Sequence, residues 1–264
     1  MVAGLALTED YIVRDLKRRQ AGYGRGGRMA IEMDRAELIS GVRYGFTIGS
    51  PISLLIVNRD WENWRETMSI GIVDGEAESI TVPRPGHADL AGAIKYGIKD
   101  IRPILERASA RETTARVAVG AVARKFLEEF GINIHSHTIS IGKQRVGKKT
   151  SINWQQVEKS PVRCTDPKVA KTMMAAIDKA KADGDTVGGV FEVIATGLPV
   201  GLGSHVQWCE RLDGRIAQAM MSINAVKGVE IGSGFALAHL AGSKAHDEIK
   251  PNKGSNFFWS RSTN

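Results

Sequence analysis

Arg18, Arg19, Arg25 and Arg28 surround Gly22, Gly24, Gly26 and Gly27 in the segment KRRQAGYGRGGRM. A guanidinium is a planar fork that meets carboxylate or phosphate oxygens in pairs, and glycine lets the backbone approach a ligand that a Cβ would hold off. Such a segment can grip an anion carrying several charges. The same composition also serves as a solvated basic loop or as an Arg-Gly-Gly type nucleic-acid segment. Further on, His87 follows a Pro-Gly turn in Arg84-Pro85-Gly86-His87-Ala88-Asp89 and precedes a helical stretch. A histidine so placed can protonate a leaving group near neutral pH, or be a structural or surface residue. Arg107-Ala108-Ser109 stands at the start of a long helical pattern, where free N–H groups and the dipole favour an anion, with Arg111 and Arg116 close by. Simple capping by Ser109 and Glu112 is the alternative.

Three further groups carry weaker signals. Asn224-Ala225 lies between a helical and a strand-like run, a place for a cofactor contact or for a helix-ending turn. His135 and His137 are two apart on a strand-like run and share a face, but no third ligand of suitable type stands nearby, so no metal site is expected. The nearest approach to a dinucleotide-binding fingerprint, Gly24 to Met29, lacks its last glycine and does not follow a strand.

The elements that must hold these residues can be read from caps and periodicity. Thr8 predicts a helix to about Arg19, with Glu9 and Asp10 at its positive end, Lys17, Arg18 and Arg19 at its negative end, and Gly22 as a stop. MAIEM, from Met29 to Met33, alternates, and ISLLIVN, from Ile52 to Asn58, reads as a buried strand. Trp61 to Ser79 reads as a polar loop. Ser109-Ala110-Arg111-Glu112 is a capping box for a helix with Ala115, Val119, Val122, Phe126 and Phe130 on its core side and Gly131 beyond its end. Asp166-Pro167 opens another helix, ending near Gly184, and a third covers Leu212 to Ile223. Strands are expected over Ile132 to Ile141, Val187 to Thr196, Gly228 to Ile231 and Phe235 to Leu240. The order is α+β, without strict βαβ alternation or a short-period repeat.

The 264 residues, 42% hydrophobic and 25% charged, suffice for one large or two modest domains. A formal charge of +7 favours anionic partners without choosing among metabolites, nucleic acid and acidic membrane surfaces. Cys164 and Cys209 form no metal or redox motif, which argues against a disulfide framework. The longest strongly apolar run, ISLLIV, is far short of the roughly 20 residues of a membrane span. MVAGLALTED lacks a basic n-region, so a cytoplasmic protein is expected. Phe257, Phe258 and Trp259 give the tail an unfinished look, as though more chain should follow.

Taken in order, RRQAGYGRGGRM, SGVRYGFTIGSPISLLIVNRDW, RPGHADLAGAIKYG, RASARETTARVAVGAVA and MSINAVKGVEIG resemble chorismate synthase over nearly the whole chain. The resemblance implies an α+β fold of β-α-β sandwich type, with central helices between antiparallel sheets, forming a single domain over 1–264 and a homotetramer. It implies anti-1,4-elimination of phosphate from 5-enolpyruvylshikimate-3-phosphate to give chorismate, in the shikimate pathway of aromatic amino-acid biosynthesis. Reduced FMN is required although no net redox change occurs, and NADPH reduces the flavin in members that do this themselves. By position, Arg19 and Arg25 would contact the substrate or the NADPH phosphate. Arg107, Ala108, Ser109, Asn224 and Ala225 would lie at FMN. His87 would be the acid near the departing phosphate.

The chain departs from the family pattern at both ends. The resemblance places a Gly-Glu-Ser-His-Gly motif before the first residue, and an Asn-Ala-Gly-Gly stretch, a Lys-Pro segment and an Arg-Ser-Asp motif after the last. The expectation is a partial domain, poorly active alone. The rival expectations are a non-catalytic fragment that keeps anion or FMN binding, and an RNA-binding protein using the Arg/Gly segment. The latter has against it an aromatic content of 6% and no aromatic RNA-recognition motif.

Overall fold

Thr8 stands in extended backbone, and its Oγ1 accepts the Tyr11 N–H at 3.3 Å to open helix α1, Glu9–Gln20. Glu9 and Asp10 in the first turn and Lys17, Arg18 and Arg19 in the last each oppose the end of the helix dipole beside them. The structure is a computed structural model, described for residues 1–25, 33–72, 78–147 and 150–246. Gly26, Gly27, Arg28, the alternating run from Met29 to Glu32, part of the polar loop before Ser79, and the tail aromatics Phe257, Phe258 and Trp259 lie outside the described residues.

The chain divides into two compact units, Met1–Leu198 and Pro199–Asn264. In the first, α1 packs on a long helix, and both bear on a two-stranded antiparallel sheet of β2, Ala36–Ser40, and β5, Ser53–Ile56. Leu7, Ile12, Leu16, Ala36, Ala118, Ala121 and Val122 form the buried cluster, with Leu38, Leu54 and Ile56 packed against it. The strand expected over Ile52 to Asn58 is thus shorter and only half-buried. Leu54 and Ile56 turn inward, while Leu55 between them is 47% exposed, because strand side chains alternate and the helices cover one face. A second small sheet has the order β1-β4-β3, from Ala3–Ala6, Phe46–Ile48 and Val42–Arg43.

Helix α2, Asp89–Tyr96, follows the His87 turn and ends at Gly97 in left-handed backbone. Helix α3, Arg102–Arg107, has Pro103 in its first turn. The long helix α4 is Glu112–Glu128, and the Ser109 capping box does not form. Ala108 and Ser109 close the last turn of α3, so α4 begins three residues beyond Ser109, after Arg111, which supplies no side-chain cap. Of the expected face Val122 is buried, but the rest of the buried stripe of α4 is Thr114, Ala118 and Ala121, one step round; Val119 and Phe130 are each 63% exposed. Small side chains at the contact let α1 approach closely, which outweighs the bulk of Val119.

Strand β6, Asn133–Ile141, pairs antiparallel with β7, Gln144–Arg145, and with β8, Gly189–Thr196, in the order β7-β6-β8. Beside it lie α5, Trp154–Lys159, and α6, Pro167–Ala182, whose cap Asp166 accepts the N–H groups of Lys168 and Val169 at 2.8 and 3.3 Å. Val146, Val162, Cys164, Ala170 and Met173 make a second core there.

The unit from Pro199 contains α7, Leu212–Met221, the short helix α8, Gly242–Ala245, and 3-10 turns at Trp208–Glu210 and Gly234–His239. The strands expected over Gly228 to Ile231 and Phe235 to Leu240 are absent among the described residues. The first has no regular structure and the second coils as a 3-10 turn. Gly232 at φ 61° and Gly234 at φ 48° turn the chain into left-handed backbone between them, which breaks extension. The described strands all pair antiparallel, so the mixed α+β order without βαβ alternation is what the chain adopts.

Candidate active site

The last turn of α1 brings Arg19 against the first turn of α4. Arg19 Nε donates to Thr113 Oγ1 at 3.0 Å, Nη2 to the Ala110 carbonyl at 3.3 Å, and Nη1 to Asp34 Oδ2 at 3.3 Å. The other Asp34 oxygen accepts Arg111 Nη1 at 2.6 Å, and Arg111 Nη2 donates to the Val57 carbonyl at 3.3 Å. Thr113 passes its own O–H to the Ala110 carbonyl at 2.6 Å. The Asp34 side chain is 2% exposed, that of Arg19 10% and that of Arg111 23%. Two guanidinium charges share one carboxylate at the positive end of a 17-residue helix, so the cluster keeps a net positive charge.

Ser109 lies in the link before α4, half-buried, with its Oγ accepting the Arg111 N–H at 3.3 Å. Arg107 ends α3 and is exposed. Arg116 Nε donates to Glu112 Oε1 at 2.9 Å, one turn away on the same helix. The structure thus gathers Arg19, Ala108, Ser109 and Arg111 where α1, α3 and α4 meet.

Arg25 is exposed and folds back over Gly22, where a Cβ would stand 2.5 Å from Arg25 Nε. The loop between is tethered through Tyr23, whose O–H donates to the Asp178 carboxylate at 2.9 Å and whose N–H donates to the Pro161 carbonyl at 3.2 Å. Arg18, next to Arg19, points elsewhere: it binds Glu158 at 3.3 Å and lies 3.5 Å from Asp15. Burial, and after it the charge of Arg163, pulls the Arg18 guanidinium below its ordinary value.

His87 sits in a turn of its own. Gly86 at φ 71° reverses the chain, and His87 Nδ1 lies 2.9 Å from the Pro85 carbonyl. A carbonyl only accepts, so Nδ1 carries a proton and Nε2 is the position left to exchange one. The turn is closed by an Arg84–Asp89 fork: Nε to Oδ2 at 2.8 Å, Nη2 to Oδ1 at 3.1 Å, and the Arg84 N–H to Oδ2 at 2.9 Å. The Arg84 guanidinium, against the opposing cost of burial, holds the Asp89 carboxyl down at about 2. His87 itself is exposed.

Asn224 and Ala225 lie in the turn after α7, both exposed, with Ala225 at φ 67°. Left-handed backbone is unfavourable for alanine, and such strain gathers at functional turns. His137 is buried, with its Nε2 hydrogen-bonded to Glu192 Oε2 at 2.8 Å, while His135 stacks on Trp154 with ring centroids 4.6 Å apart. No group of three or more metal-ligating side chains occurs among the described residues. Asp34, Thr113 and Asp89 were not singled out by sequence reasoning. Asp89 was visible inside the His87 motif, five residues from Arg84, whereas Asp34 lies 77 residues from Arg111 and left no local signal.

A model of the family described as chorismate synthase matches residues 1–264. The chain is 56% identical over 259 residues to the chorismate synthase of Moorella thermoacetica, and 54% identical over 268 aligned positions to that of Aquifex aeolicus. Each match covers 97% of this chain and 67% of the relative, so the chain spans about two thirds of their length. A crystal structure of chorismate synthase superposes with a TM-score of 0.79 at 46% identity, covering 99% of this chain and 71% of that one. No helix among the described residues is long and apolar enough to cross a membrane.

Proposed function

The chain belongs to the chorismate synthase family, whose members are lyases, and from that premise we propose that it seats 5-enolpyruvylshikimate-3-phosphate and reduced FMN around the junction of α1 and α4. The observation that carries this reading is the docking of Arg19 on Thr113 and Ala110, which joins the Arg/Gly segment to the Ser109 link. The substrate's two carboxylates and phosphate match a net positive cluster at a helix N-terminus. Arg19 and Arg25 contact the substrate, or the NADPH phosphate if the flavin is reduced in place.

Arg107, Ala108 and Ser109 suit the flavin phosphate, since they lie just before the positive end of the α4 dipole, with the Arg107 guanidinium exposed. The resemblance also assigns Asn224 and Ala225 to FMN, in a turn whose backbone is left-handed at Ala225. Reduced FMN supplies electron density to the elimination and is returned without net oxidation. In the reaction the ring hydrogen leaves as a proton to a base, the C–H electron pair shifts to form the new ring double bond, and the C–O bond to phosphate breaks with its electron pair on the departing phosphate. His87 delivers a proton from Nε2 to the departing phosphate while Nδ1 stays on the Pro85 carbonyl, which fixes the ring plane. The Arg84–Asp89 fork keeps that turn closed. On the family's pattern the 264 residues are part of one domain of a cytoplasmic homotetramer.

Calorimetric titration of the purified chain with the enolpyruvyl substrate and with FMN tests the reading. Saturable binding of both is expected, and absence of both overturns it. Replacing His87 by Asn should lower phosphate release by about a hundredfold, within the range of one placed proton-transfer group, with little change in substrate affinity. An equal loss in affinity would make His87 a binding group instead.

A further inference from the structure

Asp34 precedes β2, and its side chain is almost wholly removed from water. An ionised carboxylate survives such burial only among cationic partners, and here both oxygens are taken, one by Arg19 and one by Arg111. The two arginines reach it from different elements, one from the end of α1 and one from the residue before α4. We propose that Asp34 is a positioning residue for the substrate anion: it locks Arg19 and Arg111 into a fixed pair at the N-terminus of α4. This rests on the reading that the chain binds the enolpyruvyl shikimate phosphate.

All three nitrogens of the Arg19 guanidinium have acceptors, namely Thr113, Asp34 and the Ala110 carbonyl. Its plane is therefore set before any ligand arrives, which spares binding the cost of ordering a long, many-rotamer side chain. Thr113 and Ala110 both belong to the turn that begins α4, so Asp34 adds to the Arg111–Val57 contact a second tie between that turn and the strand side of the site. Asp34, being buried, does not touch the ligand; it acts through the two arginines.

This role and plain electrostatics predict opposite signs. Asp34→Asn removes a negative charge beside a polyanion, so Coulomb attraction alone would tighten substrate binding. Loss of positioning weakens it, because a charge-assisted bond to each arginine is lost and the two guanidinium groups are no longer held to one shared carboxylate. Asp34→Glu keeps the charge and moves the carboxylate by one methylene, so it weakens binding only if position matters.

The experiment is calorimetry of the full chain with 5-enolpyruvylshikimate-3-phosphate, each variant first checked by a thermal melt. The expected result is about a tenfold or greater weakening for Asp34→Asn and a smaller, clear weakening for Asp34→Glu. A cycle with Arg19→Gln adds a readout that general loosening would not move. If Asp34 works through Arg19, the double variant loses much less than the product of the two single losses. Equal or tighter binding by folded Asp34→Asn overturns the proposal, as do fully multiplicative losses. If Asp34→Asn does not fold, unchanged affinity in Asp34→Glu overturns it. Failure of the unsubstituted chain to bind the substrate sinks the proposed function and this inference with it, whereas normal binding with indifferent variants sinks this inference alone.

Discussion

Replacing Asp15 by Asn should loosen the seat of α1 on α4. The Asp15 side chain is 9% exposed and is paired with Arg124 of α4; Arg18 lies at 3.5 Å and Arg14 at 3.8 Å. Removing one member of a buried pair costs about 3–5 kcal/mol, because the other is left desolvated and uncompensated. Here Arg124 retains Glu128 at 3.8 Å, and Arg18 retains Glu158, so the low end, about 3 kcal/mol, is expected. For a unit of this size that corresponds to a fall in melting temperature of about 6–12 °C. Urea titration followed by far-UV circular dichroism would measure it. The companion variant replaces Asp15 by Leu and Arg124 by Met together, and it should recover most of the loss, since no lone charge is then buried. A loss below about 1 kcal/mol for Asp15→Asn would refute the argument, because the pair's attraction would then only match its desolvation. Equal losses for the single and double variants would do so as well, by placing the effect in packing.

Asp89, held at about 2 against an ordinary value near 3.8, should stay ionised until well below pH 3. The fork to Arg84 contributes stability that is complete above the ordinary value and disappears as pH falls through about 2. The carboxyl carbon shift of Asp89, followed downward from pH 6, would show this, and a midpoint near 4 would contradict it. Gly41, at φ 88°, faces Pro51 so closely that a Cβ would lie 2.5 Å from its carbonyl oxygen and 2.8 Å from the Ile52 Cα. Gly41→Ala should therefore destabilise the first unit by at least about 2 kcal/mol in urea titration, combining left-handed strain with a backbone clash. Burial raises the Cys164 thiol above its ordinary value, while Cys209 is exposed. A thiol reagent at pH 8 should modify Cys209 quickly and Cys164 only on unfolding.

The features legible in the sequence are those fixed by neighbours. Thr8 and Asp166 cap where expected because a cap binds its own next turn. The strands ending at Ile141 and Thr196 form where their runs of strand-like residues predict, while their pairing is shown only by the structure. The core face of α4 was misplaced by one residue, since choosing Ala118 over Val119 depends on how near α1 comes, which is a property of two helices. Ser109 met the pattern of a capping box, yet α3 claims it, because Pro103 had already begun a helix upstream. The apolar run from Phe235 fits strand or coil equally until its flanking glycines turn left-handed. At the candidate site, the arginines were visible as a cluster and His87 as a turn residue. The carboxylate that joins Arg19 to Arg111 was not, because charge in a sequence carries no sign of its distant partner.

Arg18 and Arg19 are adjacent, and consecutive helical side chains diverge by about 100°. One serves Glu158 and Asp15, the other Asp34, Thr113 and Ala110. The angular phase of α1 is thereby pinned at its end by two unrelated sets of partners, and Thr8 pins its beginning. A residue inserted or deleted between these points would turn both arginines away together, and no single rotamer change could restore them. Length in this helix is thus a constraint separate from composition. Point changes on its outward face are tolerable, whereas gaps within it are not.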